Sequence, residues 1–133
     1  MIRSIVLLLA VLGSLPAMAQ ERITPAQFLD RLAGKTATFV DFRSGDLIGI
    51  EQFVRRDRTI WARANGSCAY GTVFVRDGMV CFDYDDQPPG ITHCWVPFTH
   101  EDGLLVATAD GRSIQRVSSI VDGPVICEAP PIS

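Results

Sequence analysis

The sequence contains no apolar run long enough to cross a membrane as a helix. Its longest run, Ile5 to Leu12, has eight residues, whereas a transmembrane helix needs roughly 20. We therefore expect no membrane span. The chain also has no excess of basic residues. It contains 12 Lys and Arg and 15 Asp and Glu, which gives a net charge of −3. This sign disfavours non-specific binding to nucleic acid or to anionic membranes.

The usual signatures of a catalytic or metal centre are missing as well. The chain has no Gly-x-Ser-x-Gly motif and no Cys-x-x-Cys pair, the patterns of many hydrolases and zinc sites. The two histidines, His93 and His100, are too few for a metal site if the cysteines form disulfides. The acidic residues Asp83, Asp85 and Asp86 fit a solvated hairpin better than a calcium site. We predict no catalytic residue, no metal and no cofactor.

The first 19 residues have the pattern of a cleavable secretory signal. Arg3 supplies a positive start, the run from Ile5 to Leu12 is apolar, and Ala17-Met18-Ala19 is the small-x-small pattern that signal peptidase accepts. We expect cleavage before Gln20 and a mature chain of residues 20–133 that forms a single domain. The expected location is the periplasm or the outside of the cell.

All four cysteines lie after this segment, and an even number in a small exported chain favours disulfides. A turn midway between Cys81 and Cys94 would place these two residues opposite each other on neighbouring strands, within reach of a bridge. The hairpin that precedes Cys81 would leave Cys68 out of register with it. Three pairings exist in principle, and we predict Cys81–Cys94 together with Cys68–Cys127.

One helix is predicted, over residues 25–33. Thr24 is a good N-cap, Pro25 suits the first helical position, and Gln27 completes a capping box. Gly34 suits the position after the last turn. The apolar face of this helix would consist of Phe28, Leu29, Leu32 and Ala33.

From Lys35 onward, short β-rich runs alternate with turn pairs. The turn pairs are Gly45-Asp46, Asp57-Arg58, Asn65-Gly66, Asp77-Gly78, Pro89-Gly90, Asp102-Gly103, Asp110-Gly111 and Asp122-Gly123. Their spacing of 8 to 13 residues is typical of consecutive hairpins and leaves no room for crossover helices, so the sheet should be antiparallel. The predicted strands are residues 36–42, 47–54, 59–64, 68–75, 79–84, 91–99, 104–109 and 113–120.

Eight strands joined by hairpins close most simply into an up-and-down meander barrel, because closure leaves no exposed edge. The predicted fold class is therefore all-β, an antiparallel barrel of about eight strands with one short N-terminal helix. A two-sheet β-sandwich is the alternative. Pro97 cannot donate to a β ladder and is expected at an edge or a bulge.

The segment from Gly66 to Trp95 combines glycine, cysteine and aromatic residues in a recognisable order. The residues concerned are Cys68, Gly71, Gly78, Cys81-Phe82, Asp83-Tyr84 and Cys94-Trp95. This segment resembles small exported bacterial proteins of unassigned function whose barrels are lipocalin-like. The resemblance implies the barrel but not ligand carriage, because the Gly-x-Trp motif of true lipocalins near the first strand is absent.

Two groups of side chains are candidate binding residues. The first comprises aromatic residues of the central strands: Trp61, Tyr70, Phe82, Tyr84 and Trp95. An eight-stranded barrel is only just wide enough for its own side chains, so these residues are expected to form a packed core or, if a cavity exists, to line it. The second is a basic cluster at one hairpin tip, Arg55, Arg56 and Arg58. It either keeps the turn soluble or contacts an anion or a partner.

The sequence leaves two functional hypotheses from different classes. The first is a non-catalytic periplasmic binding or interaction module that engages a small apolar ligand or an envelope protein. The second is a cell-envelope enzyme or an enzyme inhibitor. The first is preferred, because a convergent set of acid, base or nucleophile is missing from the sequence.

Overall fold

The computed structural model of the chain describes Gly13 and residues 20–128. The predicted secretory segment, residues 1–19, lies outside the described residues except for Gly13. Within the described part, no helix has the length and apolar character needed to cross a membrane.

The described residues form one helix and nine strands. The helix α1 spans Pro25–Leu32. The strands are β1 (Glu21–Arg22), β2 (Thr36–Asp41), β3 (Leu47–Arg55), β4 (Arg58–Arg63), β5 (Cys68–Arg76), β6 (Met79–Tyr84), β7 (His93–His100), β8 (Gly103–Ala107) and β9 (Ile114–Val121). All eight predicted strands are present as β2 to β9, with ends that differ by at most two residues.

The strands β2 to β9 form a closed antiparallel barrel. Each pairs with the next along the chain, and β9 returns to pair with β2. The up-and-down meander barrel is confirmed, and the sandwich alternative is wrong. The sequence did not predict β1, which pairs with the second half of β7.

Two of the predicted turns lie one residue away from their expected place. His100 pairs with Gly103, so the β7–β8 turn is Glu101-Asp102, and both of these residues have positive φ. Similarly, Arg55 pairs with Arg58, so Asp57 is the second residue of its turn rather than the first.

In an up-and-down meander, successive turns alternate between the two ends of the barrel. The β3–β4, β5–β6 and β7–β8 turns lie at the end that carries α1, which we call the closed end. The mouth is the opposite end, which consists of the loops 42–46, 64–67, 85–92 and 108–113.

The helix α1 covers the closed end. Its capping box is present as predicted, since Gln27 N–H donates to Thr24 Oγ1 at 3.1 Å and Thr24 N–H donates to Gln27 Oε1 at 2.9 Å. Gly34, with a φ of 78°, follows the helix and donates to the Phe53 carbonyl at 2.8 Å. Arg56 on the β3–β4 turn forms an ion pair with Asp30 of the helix.

The buried face of α1 joins the barrel core. Phe28, Leu29 and Leu32 are buried, and Phe28 meets Phe53 edge-on at 6.3 Å between ring centroids. The rest of this core cluster comprises Ala37, Phe39, Val73, Val80, Phe82, Leu104, Val106 and Val117. The lower half of the barrel is therefore filled by side chains of the strands and the helix.

Both predicted disulfides are present. Cys81 and Cys94 are direct partners on β6 and β7, with Cα atoms 4.1 Å apart. Cys68 at the start of β5 is bonded to Cys127. This second bridge holds the segment after β9 against the outside of the barrel, where Glu128 N–H also donates to the Gly66 carbonyl at 3.0 Å.

Pro97 lies within β7 where this strand changes its neighbour from β6 to β1. Its carbonyl accepts from Ile23 N–H at 3.1 Å. In an extended strand the N–H and C=O of one residue point to the same side, so the missing N–H faces the gap between β6 and β1. This agrees with the expectation of an edge, although the edge is a short gap within a closed barrel, where β7 changes its partner strand.

Candidate functional site

The upper half of the barrel, toward the mouth, contains a cavity of about 180 Å³. Its apolar lining consists of Phe28, Phe39, Trp61, Phe82, Trp95 and Val106. Its polar lining consists of Glu51, Arg63, Tyr84, Gln87, His93 and Gln115. A dry apolar cavity of about 150 Å³ is large enough to bind benzene, so this space suits a ligand with one ring.

Two glycines on the inner face of the barrel shape this cavity. A Cβ atom at Gly49 would lie 2.3 Å from the Trp61 ring. A Cβ atom at Gly71 would lie 2.7 Å from Thr59 Oγ1 and 2.9 Å from the Tyr84 ring. Since no side chain fits at either position, glycine allows Trp61 and Tyr84 to lie close to the barrel wall and leaves the centre open.

A buried carboxyl group, that of Glu51 on β3, lies in the wall of the cavity. The residue is 2 % exposed, and its side chain accepts from the Tyr84 hydroxyl at 3.2 Å on Oε1 and 3.1 Å on Oε2. Inward and outward positions alternate along β3, so Glu51 shares the inner face with Gly49 and Phe53. The strand thus places one acid beside the aromatic side chains that line the cavity.

Burial controls the ionisation of the Glu51 carboxyl and the Tyr84 hydroxyl. It raises the pKa of Glu51 to about 8, although the hydroxyls of Thr59 and Tyr84 act in the opposite direction. Within the described residues, Thr59 Oγ1 is itself buried without a hydrogen-bond partner, so Tyr84 is the hydroxyl that bonds to the carboxyl. Burial, followed by the charge of Glu51, raises the pKa of Tyr84 as well. At pH 7 the Glu51 carboxyl is therefore mostly protonated and neutral.

The charged and polar side chains near the mouth form ion pairs and hydrogen bonds with one another. Arg63 forms an ion pair with Asp86, and His93 Nε2 lies 2.7 Å from Gln87 Oε1. The ring centroids of Tyr84 and His93 are 6.0 Å apart. None of the ion pairs among the described residues includes Glu51, so its carboxyl faces the cavity without a cation.

Four of the five predicted aromatic residues line the cavity: Trp61, Phe82, Tyr84 and Trp95. Tyr70, the fifth, is 56 % exposed on the outside of the barrel. Its expected place in the core or a cavity is wrong, because its neighbour Gly71 occupies the inward position on β5. The two predicted histidines are separated: His93 lines the cavity, whereas His100 packs edge-on against Phe42 at 5.9 Å.

The predicted basic cluster lies at the closed end, away from the cavity. Arg55 Nε donates to Asp57 at 2.8 Å, Arg56 pairs with the helix, and Arg58 donates to the Thr72 hydroxyl at 3.3 Å. Two of the three guanidinium groups therefore have carboxylate partners within the chain. Their arrangement supports the interpretation of a charged turn that also fastens α1.

Sequence reasoning missed Glu51, Arg63 and the part that the two glycines play in shaping the cavity. A charged residue within an apolar strand was the available signal for Glu51 (Leu47-Ile48-Gly49-Ile50-Glu51). No group of three or more His, Cys, Asp or Glu side chains that could hold a metal ion occurs in the part of the chain that the structure describes.

No protein-family model, no curated protein and no solved structure matches the chain.

Proposed function

We propose that this chain is an exported, non-catalytic binding module whose barrel cavity holds a small, largely apolar ligand in the cell envelope. The observation that carries the proposal is the cavity itself, which has aromatic walls and polar groups at a few points. Small-molecule sites combine these features, because apolar walls supply affinity and a few polar groups fix orientation.

The fold favours a ligand over a protein partner for this site. An eight-stranded barrel has room for one small ligand inside it, as in the lipocalins. The charged side chains that would offer a protein contact, Arg55 and Arg56, are instead paired within the chain. These features support ligand binding within the barrel.

Two observations support the export of the chain. Residues 1–19 have the composition of a secretory signal, and the structure has two disulfides, which persist in oxidising compartments such as the periplasm. The proposed location is therefore the periplasm or the extracellular space.

A cavity-filling substitution tests the proposal. Val106 is buried and lines the cavity, so Val106→Phe should place a ring in the ligand's space. We expect toluene binding, measured by isothermal titration calorimetry, to weaken by about tenfold or more, which corresponds to a loss of about 1.4 kcal/mol. The matched control is Val75→Phe, because Val75 is 55 % exposed and does not line the cavity.

Overpacking can also destabilise a barrel by about 1–3 kcal/mol, so a second variant avoids the core. Gln115→Trp adds a ring at the half-buried rim of the same cavity and should weaken toluene binding as well. If wild-type protein shows no heat of binding, or if both variants bind toluene as well as Val75→Phe does, the cavity is not the binding site.

A further inference from the structure

The Glu51 carboxyl in the wall of the cavity is energetically unfavourable unless something compensates for its burial. An ionised carboxylate without a partner is costly inside a protein, and a buried acid is usually paired or kept neutral. Glu51 is 2 % exposed and has no cationic partner among the described residues. Glutamine or leucine would fit this wall at lower cost, so the acid requires an explanation in terms of what the cavity holds.

The carboxyl has unused capacity to accept hydrogen bonds. An ionised carboxylate offers about four acceptor positions, and the Tyr84 hydroxyl uses the oxygens from one side only. Since Glu51 lines the cavity, the remaining positions are available to a ligand that donates hydrogen bonds. An ammonium group carries three such donors together with the missing positive charge.

The surrounding aromatic side chains favour the same kind of ligand. The ring centroids of Phe39 and Trp61 lie 6.2 Å apart, and Phe82 stacks on Tyr84 with ring centroids 6.1 Å apart. All four rings line the cavity with Glu51. Aromatic faces attract organic cations, and they do so more strongly when the cation is removed from water.

The other charged groups near the carboxyl do not oppose a cation strongly. Arg63 on β4 is neutralised by Asp86 from the β6–β7 loop. His93 on β7 shares its Nε2 with Gln87, and the phenol of Tyr84 on β6 is uncharged. The chain as a whole has a net charge of −3, which attracts cations toward it.

We propose that the ligand of this cavity is a small organic amine with a single apolar ring, bound as its ammonium ion against the Glu51 carboxylate. This inference rests on the proposed function, since it names the ligand class of the same cavity. On binding, the Glu51 carboxyl releases its proton to solvent, and the ligand ammonium takes the place of that proton beside the two carboxylate oxygens. The ring then fills the aromatic part of the cavity.

The test compares four probes of nearly equal size by isothermal titration calorimetry: benzylamine, benzyl alcohol, acetophenone and benzoate. At pH 8.5, where the Glu51 carboxyl is mostly ionised, benzylammonium should bind about fivefold or more tightly than benzyl alcohol, because a hydrogen bond between charged groups is stronger than a neutral one. Its affinity should increase on the order of tenfold per unit of pH from pH 6 to pH 8, since the pKa of Glu51 is about 8.

Glu51→Gln should abolish both the preference for the amine and its dependence on pH, while binding of benzyl alcohol remains. The matched control is Glu101→Gln at the closed end, which removes an exposed acid and should leave amine binding unchanged. A second measurement needs no variant: titrations of wild-type protein in two buffers of different ionisation enthalpy should show nearly one proton released per benzylamine bound at pH 6.5.

The outcomes separate this inference from the function on which it rests. Equal affinity for benzylamine and benzyl alcohol at pH 8.5 would overturn the assignment of the ligand as an amine, while ligand binding itself would stand. Preference for acetophenone, with affinity that falls above pH 8, would show that the protonated carboxyl donates to a carbonyl group instead. Preference for benzoate would assign recognition to Arg63. If none of the four probes binds, both the assignment of the ligand as an amine and the proposed binding function are wrong.

Discussion

The free energy of unfolding is expected to fall by on the order of 5 kcal/mol between pH 4 and pH 9 because of Glu51 alone. Burial raises the pKa of this carboxyl from its ordinary value of 4.5 to about 8. Between these pH values the folded protein holds a proton that the unfolded chain has released. The stabilising contribution is therefore complete below pH 4.5 and is lost as the pH rises through 8.

Glu51→Gln isolates this contribution, because an amide of the same shape cannot ionise. Urea unfolding at pH 5, 7 and 9 should show a steep decline for the wild type and a much flatter profile for the variant, which becomes the more stable protein at pH 9. Asp41, Asp57 and Asp110 do not disturb this comparison. Hydrogen bonds lower their pKa values below 3.8, so their contributions are lost only in stronger acid.

Tyr84→Phe provides a matched control for the pH profile. It keeps the carboxyl but removes the hydroxyl that favours its ionised form, so the decline should shift to higher pH rather than disappear. Parallel profiles for the wild type and Glu51→Gln would contradict the account, because they would mean that Glu51 titrates normally in the folded protein.

Loss of the Cys68–Cys127 disulfide should cost about 4 kcal/mol of stability, and loss of Cys81–Cys94 about 3 kcal/mol. The difference follows from loop length, since the first bridge closes a separation of 59 residues and the second one of 13. Each loss is a large share of the 5–15 kcal/mol that typically stabilises a domain.

The two double-alanine variants, Cys68→Ala with Cys127→Ala and Cys81→Ala with Cys94→Ala, measure these costs by urea unfolding under identical conditions. The first should also release the segment after β9, which the bridge holds near Gly66, and so increase amide exchange in residues 122–128. A larger cost for the short bridge, or a cost below about 1 kcal/mol for the long one, would contradict this expectation.

The barrel could be predicted because its signals are local. Asp77-Gly78 forms a two-residue turn in which both residues have positive φ, a conformation that this pair adopts more readily than most. Thr24, Pro25 and Gln27 likewise define the start of α1 by contacts within one helical turn. Such features need no knowledge of the distant chain.

Elements that depend on distant partners were not predictable in the same way. The strand β1 consists of two residues and exists because β7 offers a free edge beyond Trp95. Pro97 is tolerated for the same reason. The strand β1 has no sequence pattern of its own, since its pairing partner lies more than 70 positions away.

The register of β3 explains why Glu51 was missed. Hydrophobicity alone would turn Ile48 and Ile50 inward, yet the structure places Gly49 and Glu51 on the inner face. A shift of one residue moves every side chain of a strand to the opposite face. The ambiguity is resolved by Trp61, which covers Gly49 from the neighbouring strand, and this packing is visible only in three dimensions.

The central claim, that the barrel cavity binds a small ligand, is tested most directly by isotope-filtered nuclear Overhauser spectroscopy of the labelled protein with unlabelled toluene. The account predicts contacts between the ligand protons and the side chains of Trp61, Phe82 and Trp95, which line the cavity. Contacts with exposed residues such as Tyr70 only, or no contacts at saturating toluene, would contradict it.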